Sequence, residues 1–308
     1  MSSVLSEARF HNEEAAFAYV ESKLWPDGPY CPHCGECERI GRLNGSTTRI
    51  GLRKCYACRK PFTVRIGTIF ESSHAPLRIW LQAMHLMCSS KKGISTRQLQ
   101  RTLGVGMKTA WFLGHRIRAA MDDGFGGFDG PVGGLGKTVE ADEMYLGKSP
   151  KTRRFEGERA RMVVSLVERD GPIRSMYLDD RNVRLALSRH LDFDSRLVTD
   201  GSTIYDRYVV RHESVDHSKG EYARGDVHTQ TLEGFFSIFK RGLVGVYQHI
   251  DAKHLNRYLA EFDFRMNNRV RLGIDDVQRT ANTIKGARGK RLTYRPTGRS
   301  AGTAGVPA

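Results

Sequence analysis

The segment Thr138–Asp142, with the sequence TVEAD, decides how the C-terminal half of this chain folds. Its alternation of polar and apolar residues predicts a β-strand that ends on a carboxylate. A second segment, Arg196–Asp200 (RLVTD), is also β-like and also ends on an aspartate. Because a mixed sheet can place two such strands side by side, we expect Asp142 and Asp200 to lie within reach of shared metal ions.

Further strand and helix patterns follow in the same half of the chain. Strands are predicted at residues 138–146, 161–168, 173–178, 195–199 and 213–217, and helices at 182–190, about 203–209, about 229–241 and 252–268. Strands first, and then strands that alternate with helices, are typical of a mixed α/β sheet.

A third acidic residue, Glu233, opens one of the predicted helices. We expect this helix to pack across the sheet and to bring Glu233 towards the two aspartates. Lys240 lies two turns further along the same helical face, where it could contact a phosphate. His228 and Gln230, just before the helical pattern, are candidate substrate contacts. Two divalent cations held by such carboxylates could activate a water and stabilise the leaving oxygen of a phosphodiester.

Other acidic residues near these positions have more ordinary interpretations. Strand alternation puts Glu140 on the same face as Asp142 and Glu143 on the opposite face. Glu140 could therefore support the metal ligands from behind. Asp179 and Asp180 follow a predicted strand, so we interpret them as turn or helix-capping residues.

Two cysteine pairs near the N-terminus predict a zinc site. Cys31-Pro-His-Cys34 and Cys55-Tyr-Ala-Cys58 are separated by twenty residues. Thiolates from two such pairs can close a tetrahedron around Zn²⁺, which leaves no open position for water and therefore indicates a structural role. Cys37 and His33 lie close enough to replace one ligand, and four buried free thiols are the alternative. Cys88 is interpreted as a buried core thiol.

Residues 76–121 have a helical pattern throughout. Ser95 can cap a helix, Gly104 can end it, and a second helix can begin at Met107. The basic and polar residues that this second helix would present to DNA are Lys108, Thr109, His115, Arg116 and Arg118. The pattern resembles a helix-turn-helix, and an ordinary helical hairpin is the alternative.

Composition favours a DNA-binding protein of a reducing compartment. The formal net charge is +15 and the pI is about 9.7, which predicts salt-sensitive binding to a polyanion. The sequence contains no apolar run of membrane-spanning length, and its N-terminus lacks the apolar centre of a signal peptide. We expect no membrane partner and a bacterial-type cytoplasmic location, associated with the nucleoid.

The patterns divide the chain into five parts and predict a multidomain fold of the α+β and α/β classes. These parts are an N-terminal helix and zinc ribbon (1–70), a helix-turn-helix DNA-binding segment (71–121), a Gly-rich linker (122–137), a catalytic domain with a mixed sheet (138–284) and a basic disordered tail (285–308). Glycine density marks the linker, and basic charge without acids marks the tail.

An ordered series of motifs carries a family resemblance over roughly residues 15–295. The series consists of CPHCG, KCYACRKPFTVRIGTIFE, WLQAMHLMCSSKKGISTRQLQRTLGV, VEADEMYLG, VTDG and VHTQTLEGFFSIFKRGLVGVYQHIDAKHLNRYLAEFDFRMNNR. It resembles insertion-sequence transposases of the ISXO2-like group, which have an N-terminal zinc ribbon and an RNase H-like catalytic domain of the DDE class.

The resemblance implies a role for each of the residues singled out above. Asp142 and Asp200 would be metal ligands, Glu233 the third acidic residue and Lys240 a contact to DNA. The four paired cysteines match the ribbon ligands. Members of the family often have asparagine at the place of Gln230, and some use asparagine or histidine as the third ligand. We keep Glu233 because a carboxylate suits a hard cation better than an amide does.

The expected protein is a DNA transposase that binds the terminal inverted repeats of its element and catalyses metal-dependent strand cleavage and strand transfer. Its expected cofactors are catalytic Mg²⁺ (or Mn²⁺) and structural Zn²⁺. Its expected partners are double-stranded DNA, as terminal repeats and as target, and further copies of itself on DNA. The alternatives are a non-catalytic DNA-binding regulator and a hydrolytic nuclease without strand transfer.

Overall fold

The computed structural model of the protein describes residues 3–122, 130–147, 160–205 and 211–290. Its helices are α1 (Glu13–Leu24), α2 (Leu77–Ser89), α3 (Thr96–Leu103), α4 (Met107–Met121), α5 (Val183–His190), α6 (Gln230–Gly242), α7 (Ala252–Asn267) and α8 (Asp276–Lys285). Its strands are β1 (Ile40–Arg42), β2 (Arg53–Cys55), β3 (Pro61–Phe62), β4 (Thr138–Leu146), β5 (Arg161–Glu168), β6 (Ile173–Leu178), β7 (Arg196–Asp200) and β8 (His212–Val215).

A five-stranded mixed sheet forms the centre of the C-terminal half, in the order β6-β5-β4-β7-β8. β5 and β6 run antiparallel to their neighbours, whereas β4, β7 and β8 are parallel. The pairing of β4 with β7 runs from Thr138–Arg196 to Ala141–Thr199. The predicted neighbourhood of these two strands is therefore confirmed. β7 ends on Asp200 as expected, whereas β4 continues beyond Asp142 to Leu146.

The two faces of this sheet are covered by different helices. Met144 on β4 packs with the apolar residues of α6 and α7, whereas Val139 and Ala141 pack with those of α5. This division follows strand alternation, because successive side chains of β4 point to opposite faces. The result is a layer of helices on each side of the sheet.

The N-terminal half combines a small sheet with helices. Strands β1, β2 and β3 form an antiparallel sheet, and the Arg53 guanidinium on β2 lies 2.7 Å from Glu21 on α1. Helix α1 begins after Asn12, whose side chain accepts a hydrogen bond from the backbone N–H of Ala15. The small sheet cannot bury a core unaided, and its apolar residues join those of α1, α2, α3 and α4 in one cluster.

The helical segment is interrupted once more than the sequence pattern predicts. Helix α2 ends at Ser89, and residues 90–95 are not helical, so the prediction of helix throughout 76–121 is wrong there. The predicted cap is present, because the Ser95 side chain accepts a hydrogen bond from the N–H of Gln98. Gly104 ends α3 with φ +62°, a conformation that glycine adopts without steric cost.

The C-terminal helix α8 returns to the N-terminal half. Its residue Ile284 and the following Ala287 are fully buried in the same apolar cluster as α1 and α2. The Cys88 sulfur on α2 lies 3.2 Å from the Thr283 hydroxyl on α8, and Cys88 is buried as predicted. The first and last described helices therefore share one core.

The predicted tail falls largely outside the described residues, and the predicted linker does so in part. Of the linker 122–137, residues 123–129 are not described, and Val132 is buried and forms a parallel bridge with Leu191. Of the tail 285–308, residues 291–308 are not described, and Lys285 is the last residue of α8. Within the described ranges, no helix has both the length and the apolar composition needed to cross a membrane.

A buried ionic cluster joins α4 to α7. Glu261 accepts hydrogen bonds from Arg118 Nε at 2.6 Å, from the Tyr247 hydroxyl at 2.7 Å and from Arg265. Glu261 is fully buried, and the neighbouring guanidinium groups lower its pKa to about 2 although burial acts in the opposite direction. Because all three charges are buried together, each depends on the others for compensation.

Replacing Glu261 with alanine should lower the free energy of unfolding by about 3–5 kcal/mol, because two buried guanidinium groups would lose their carboxylate partner. Urea denaturation followed by circular dichroism measures the loss. Glu38→Ala removes an exposed glutamate and should change stability by less than about 0.5 kcal/mol. A similar stability for both variants would show that the cluster does not hold α4 and α7 together.

Candidate functional site

The four paired cysteines lie together between α1 and the small sheet. Cys31 Sγ is 3.6 Å from Cys58 Sγ, and Cys34 Sγ is 3.7 Å from Cys55 Sγ. All four sulfurs lie within 4.8 Å of one another, which suits a tetrahedral site for Zn²⁺. The alternative ligands His33 and Cys37 are exposed and are not members of this group.

Backbone hydrogen bonding favours the thiolate form of one ligand. The N–H of Cys58 donates to Cys55 Sγ at 3.5 Å. This hydrogen bond is the largest of the effects that lower the pKa of the Cys55 thiol to about 7. Since Zn²⁺ binds thiolates, the lowered pKa of Cys55 favours metal binding by this ligand near neutral pH.

A second cluster lies where β7 ends beside the middle of β4. The carboxylates of Asp142, Glu143 and Asp200 lie within 4.8 Å of one another. The predicted approach of Asp142 to Asp200 follows from the parallel pairing of their strands. Hard divalent cations prefer oxygen ligands, and three close carboxylates can supply several of them.

Glu143 was expected on the opposite face from Asp142, and its carboxylate nevertheless joins the cluster. The physical reason lies in the lengths of the strands. β4 pairs with β7 only as far as Thr199, and β7 ends at Asp200. Since β7 does not extend beside Glu143, no backbone separates the two faces there, and the side chain can reach around the edge of the sheet.

Burial, together with crowding of negative charge, raises the pKa of two of these groups. Burial, followed by the charges of Asp200, Glu143 and Glu233, raises the pKa of Asp142 to about 7. Burial also raises the pKa of Glu143, and its interactions with Tyr205 and Ser202 act against that shift. A divalent cation placed among the carboxylates would favour their charged forms.

Glu233 lies in the first turn of α6 and faces the same region, but its carboxylate is not a member of the close trio. Its side chain is 48% exposed. One carboxylate oxygen lies 3.5 Å from the Thr229 hydroxyl and 3.7 Å from His217 Nε2. The metal-binding role of Glu233 stays a prediction.

Glu140 fixes the helix that carries Glu233. Its fully buried carboxylate accepts hydrogen bonds from the N–H of Thr231 at 3.0 Å and of Leu232 at 3.3 Å, both in the first turn of α6. Arg169 Nε donates to the same carboxylate at 3.0 Å. A carboxylate at a helix N-terminus is stabilised by the unpaired N–H groups and by the helix dipole. Glu140 therefore anchors α6 beside the carboxylate cluster.

The residues expected to contact DNA around α6 lie at or near the surface. Gln230 is the exposed first residue of the helix, and Lys240 is exposed in its last turn. His228 precedes the helix, and its Nδ1 lies 3.7 Å from Glu140. Lys108 is exposed in the first turn of α4. Their contacts to DNA stay predictions.

Arg116 is a correction to the predicted DNA-binding face. It is buried, and its Nη1 donates at 2.9 Å to the carbonyl oxygens of both Ile69 and Glu71. His115 and Arg118 are buried as well. The basic face predicted along α4 is therefore wrong beyond the first turn, because the helix packs on both sides against the rest of the protein.

Sequence reasoning missed Tyr205 and Arg169. Tyr205 is fully buried next to Glu143, and Arg169 compensates the charge of Glu140. Arg169 could have been suspected, because it lies in the turn between two antiparallel strands and β4 is the neighbour of the first. No local pattern marks Tyr205, which depends on the tertiary fold.

Comparison with known proteins gives the family of the chain. Residues 134–267 match the family described as "ISXO2-like transposase domain", and residues 11–61 match the "Transposase zinc-ribbon domain". The chain belongs to the ISXO2-like transposases. The first match includes both clustered aspartates of the transposase, and the second includes its four clustered cysteines.

One relative of the transposase is described as an "Uncharacterized protein in transposable element ISH50" of Halobacterium salinarum. It is 28% identical over 280 residues, and the alignment covers 83% of this chain and 91% of the relative. No solved structure matches the transposase significantly.

Purified wild-type transposase should contain stoichiometric zinc, and Cys55→Ser should lose it because a hydroxyl is a poor zinc ligand. Elemental analysis by mass spectrometry measures the content, and a chelator should lower the melting temperature of the wild type. Cys37→Ser is the matched control and should keep its zinc, since Cys37 lies outside the cluster. Zinc retained by Cys55→Ser, or lost by Cys37→Ser, would contradict the ligand assignment.

Replacing Glu140 with alanine should increase amide hydrogen exchange in residues 229–236 at least about tenfold, because the first turn of α6 would lose its acceptor. Hydrogen–deuterium exchange with mass spectrometry measures this effect. Glu140→Gln keeps an acceptor oxygen and should show a smaller increase. Glu143→Gln, on the same strand, should leave exchange in this segment unchanged. Equal exchange in wild type and Glu140→Ala would show that Glu140 does not anchor the helix.

Proposed function

We propose that this transposase cuts and joins DNA at the acidic cluster formed by Asp142, Asp200 and their neighbours, with divalent cations as cofactors. The observation that carries the proposal is the approach of three carboxylates to within 4.8 Å of one another where β7 ends beside its parallel neighbour β4. These carboxylates lie in a chain with a formal charge of +15. Binding of a polyanion beside concentrated negative charge requires cations between the two.

The carboxylates of Asp142 and Asp200 would hold Mg²⁺ or Mn²⁺, and Glu233 would approach from α6. Bound there, the cations would lower the pKa of a water and stabilise the charge that develops on the leaving 3′-oxygen. The protein itself positions the reacting phosphate. Glu140 and Arg169 keep α6 in place, so that Glu233 and Lys240 face the substrate from fixed positions.

The proposed reaction has two steps at the same site. Water first attacks the phosphodiester at an element end, which releases a 3′-hydroxyl. That hydroxyl then attacks a phosphodiester of the target, so that one bond forms as another breaks and no external energy source is needed. The strand order, with the two antiparallel strands on one side of β4 and the two parallel strands on the other, supports an RNase H-like arrangement.

DNA recognition is assigned to surfaces on both halves of the chain. The exposed first turn of α4, with Met107, Lys108 and Thr109, suits insertion into a major groove, where helix-turn-helix proteins place the N-terminal end of their second helix. The zinc ribbon would add contacts to the terminal inverted repeats. Lys240 and the neighbouring exposed Arg241 would contact the backbone near the cut. Pairing of two element ends requires at least two copies of the chain.

A regulator that only binds DNA has no use for the acidic cluster, since three close carboxylates without a cation would repel the phosphate backbone. A nuclease without strand transfer would use the same cluster. The difference between a nuclease and a joining enzyme is whether the released 3′-hydroxyl is used as a nucleophile.

The test is an assay of Mg²⁺-dependent cleavage and joining on DNA that carries the element's own ends. Asp142→Asn and Asp200→Asn should each lower the rate of both steps by about 10³-fold or more, because a metal ligand loses its charge. Asp194→Asn changes an exposed aspartate outside the cluster and should retain the wild-type rate. Filter binding should show that all variants still bind DNA.

Joined products that disappear in both cluster variants would support the proposal. Cleavage by the wild type without joining would favour the nuclease. Binding by the wild type without any metal-dependent chemistry would overturn the catalytic assignment.

A further inference from the structure

The two carboxylate oxygens of Glu143 have different surroundings, and one of them is buried without a hydrogen-bond partner in the described part of the chain. One of its oxygens lies 3.2 Å from the Ser202 hydroxyl. The other, Oε2, is buried and has no hydrogen-bond partner among the described residues. Buried polar atoms in proteins are almost always paired, and an unpaired one indicates an ion or another group that completes the site.

Tyr205 gives a second indication. Its side chain is fully buried in the apolar cluster beneath the sheet, and its hydroxyl also has no hydrogen-bond partner in the described parts of the chain. The hydroxyl approaches the Glu143 carboxylate, and the nearby charges of Glu143, Asp142 and Asp200 add to burial in raising the pKa of Tyr205 well above its usual value. A buried phenol is thus aimed at the carboxylate cluster.

Glu233 has a different environment. Its side chain is about half exposed, and its carboxylate lies near His217 and Thr229 instead of the two aspartates. Of the two glutamates near the site, only Glu143 has its carboxylate within 4.8 Å of both Asp142 and Asp200. A cation bound by the two aspartates would therefore meet Glu143 before Glu233.

We propose that Glu143 is the third carboxylate ligand of the divalent cation held by Asp142 and Asp200 in the DNA-free protein, and that Tyr205 is the residue that positions it. Glu233 then completes the site only when DNA is bound. The inference deepens the proposed function, on which its catalytic meaning rests, but the cation site itself exists without DNA.

The role of Tyr205 follows from the geometry of a carboxylate. The phenol lies beside the Glu143 carboxylate, so it could donate a hydrogen bond to one oxygen when a bound cation draws the other towards the aspartates. Ser202, in the loop that follows β7, restricts the orientation of the Glu143 side chain by its hydrogen bond to the carboxylate. Groups that orient a metal ligand in this way commonly change metal affinity by about 10–100-fold when they are removed.

The first test is Mn²⁺ binding to the full-length protein without DNA, measured by calorimetry and by the loss of the free Mn²⁺ resonance in electron paramagnetic resonance. Glu143→Gln should weaken binding by about 10–100-fold. Glu233→Gln should change it less than about twofold, because Glu233 lies outside the trio. Weaker binding in Glu233→Gln with unchanged binding in Glu143→Gln would overturn the proposal. So would the absence of Mn²⁺ binding by the wild type at millimolar concentrations.

The second test separates positioning from simple packing. Tyr205→Phe keeps the ring in its apolar surroundings and removes only the hydroxyl. We expect Mn²⁺ affinity to fall by about tenfold while the melting temperature of the metal-free protein stays within error of the wild type. Unchanged affinity would show that the hydroxyl does not position Glu143. A lower melting temperature with unchanged affinity would assign Tyr205 to folding alone.

The measurements also distinguish this inference from the proposed function. If the wild type binds Mn²⁺ through Glu143 but neither cleaves nor joins DNA, the cation site stands and the transposition chemistry fails. If Glu143→Gln retains wild-type Mn²⁺ affinity and wild-type cleavage, the transposition chemistry stands and the role of Glu143 is wrong.

Discussion

The hydrogen bonds from the first turn of α6 to the buried Glu140 carboxylate are the interaction on which the rest of the candidate site depends. They connect the centre of the sheet to a helix that carries both an acidic and a basic candidate residue. A buried carboxylate is costly unless it is compensated, and Arg169 supplies the opposite charge. β4, which provides Asp142, therefore also fixes the position of α6. The bonds to Glu140 keep Glu233 on α6 at a constant distance from Asp142 on β4.

A second buried charge cluster determines how α4 meets the helices that cover the five-stranded sheet. Glu261 on α7 is bonded to Arg118 on α4, and α7 packs on the same face of the sheet as α6. A movement of α4 would therefore be transmitted to the helices that cover this face of the sheet. Apolar contacts alone would allow sliding between these helices, whereas a charge network with defined partners favours one arrangement.

The sequence was sufficient where local pattern and spacing carry the information. Alternation and the terminal aspartates located β4 and β7, and cysteine spacing located the sulfur cluster. Alternation failed for Glu143 because it describes a strand with neighbours on both sides, and β7 ends too early to provide one. The basic pattern of α4 misled for Arg116, because a long side chain can bury its charge by donating to backbone carbonyls, and only tertiary contacts reveal that choice.

The return of α8 to the N-terminal core has a consequence for biosynthesis. Ile284 and Ala287 pack beside α1 and α2 in the N-terminal core. This core therefore lacks part of its apolar contacts until the ribosome has made the five-stranded sheet and its covering helices. The ribbon and the helical segment gain their final packing only after nearly the last described residue has emerged. A polypeptide released early would expose an unfinished apolar surface and become a target for proteases. The order of synthesis thus makes the final packing of the N-terminal half depend on completion of the C-terminal half.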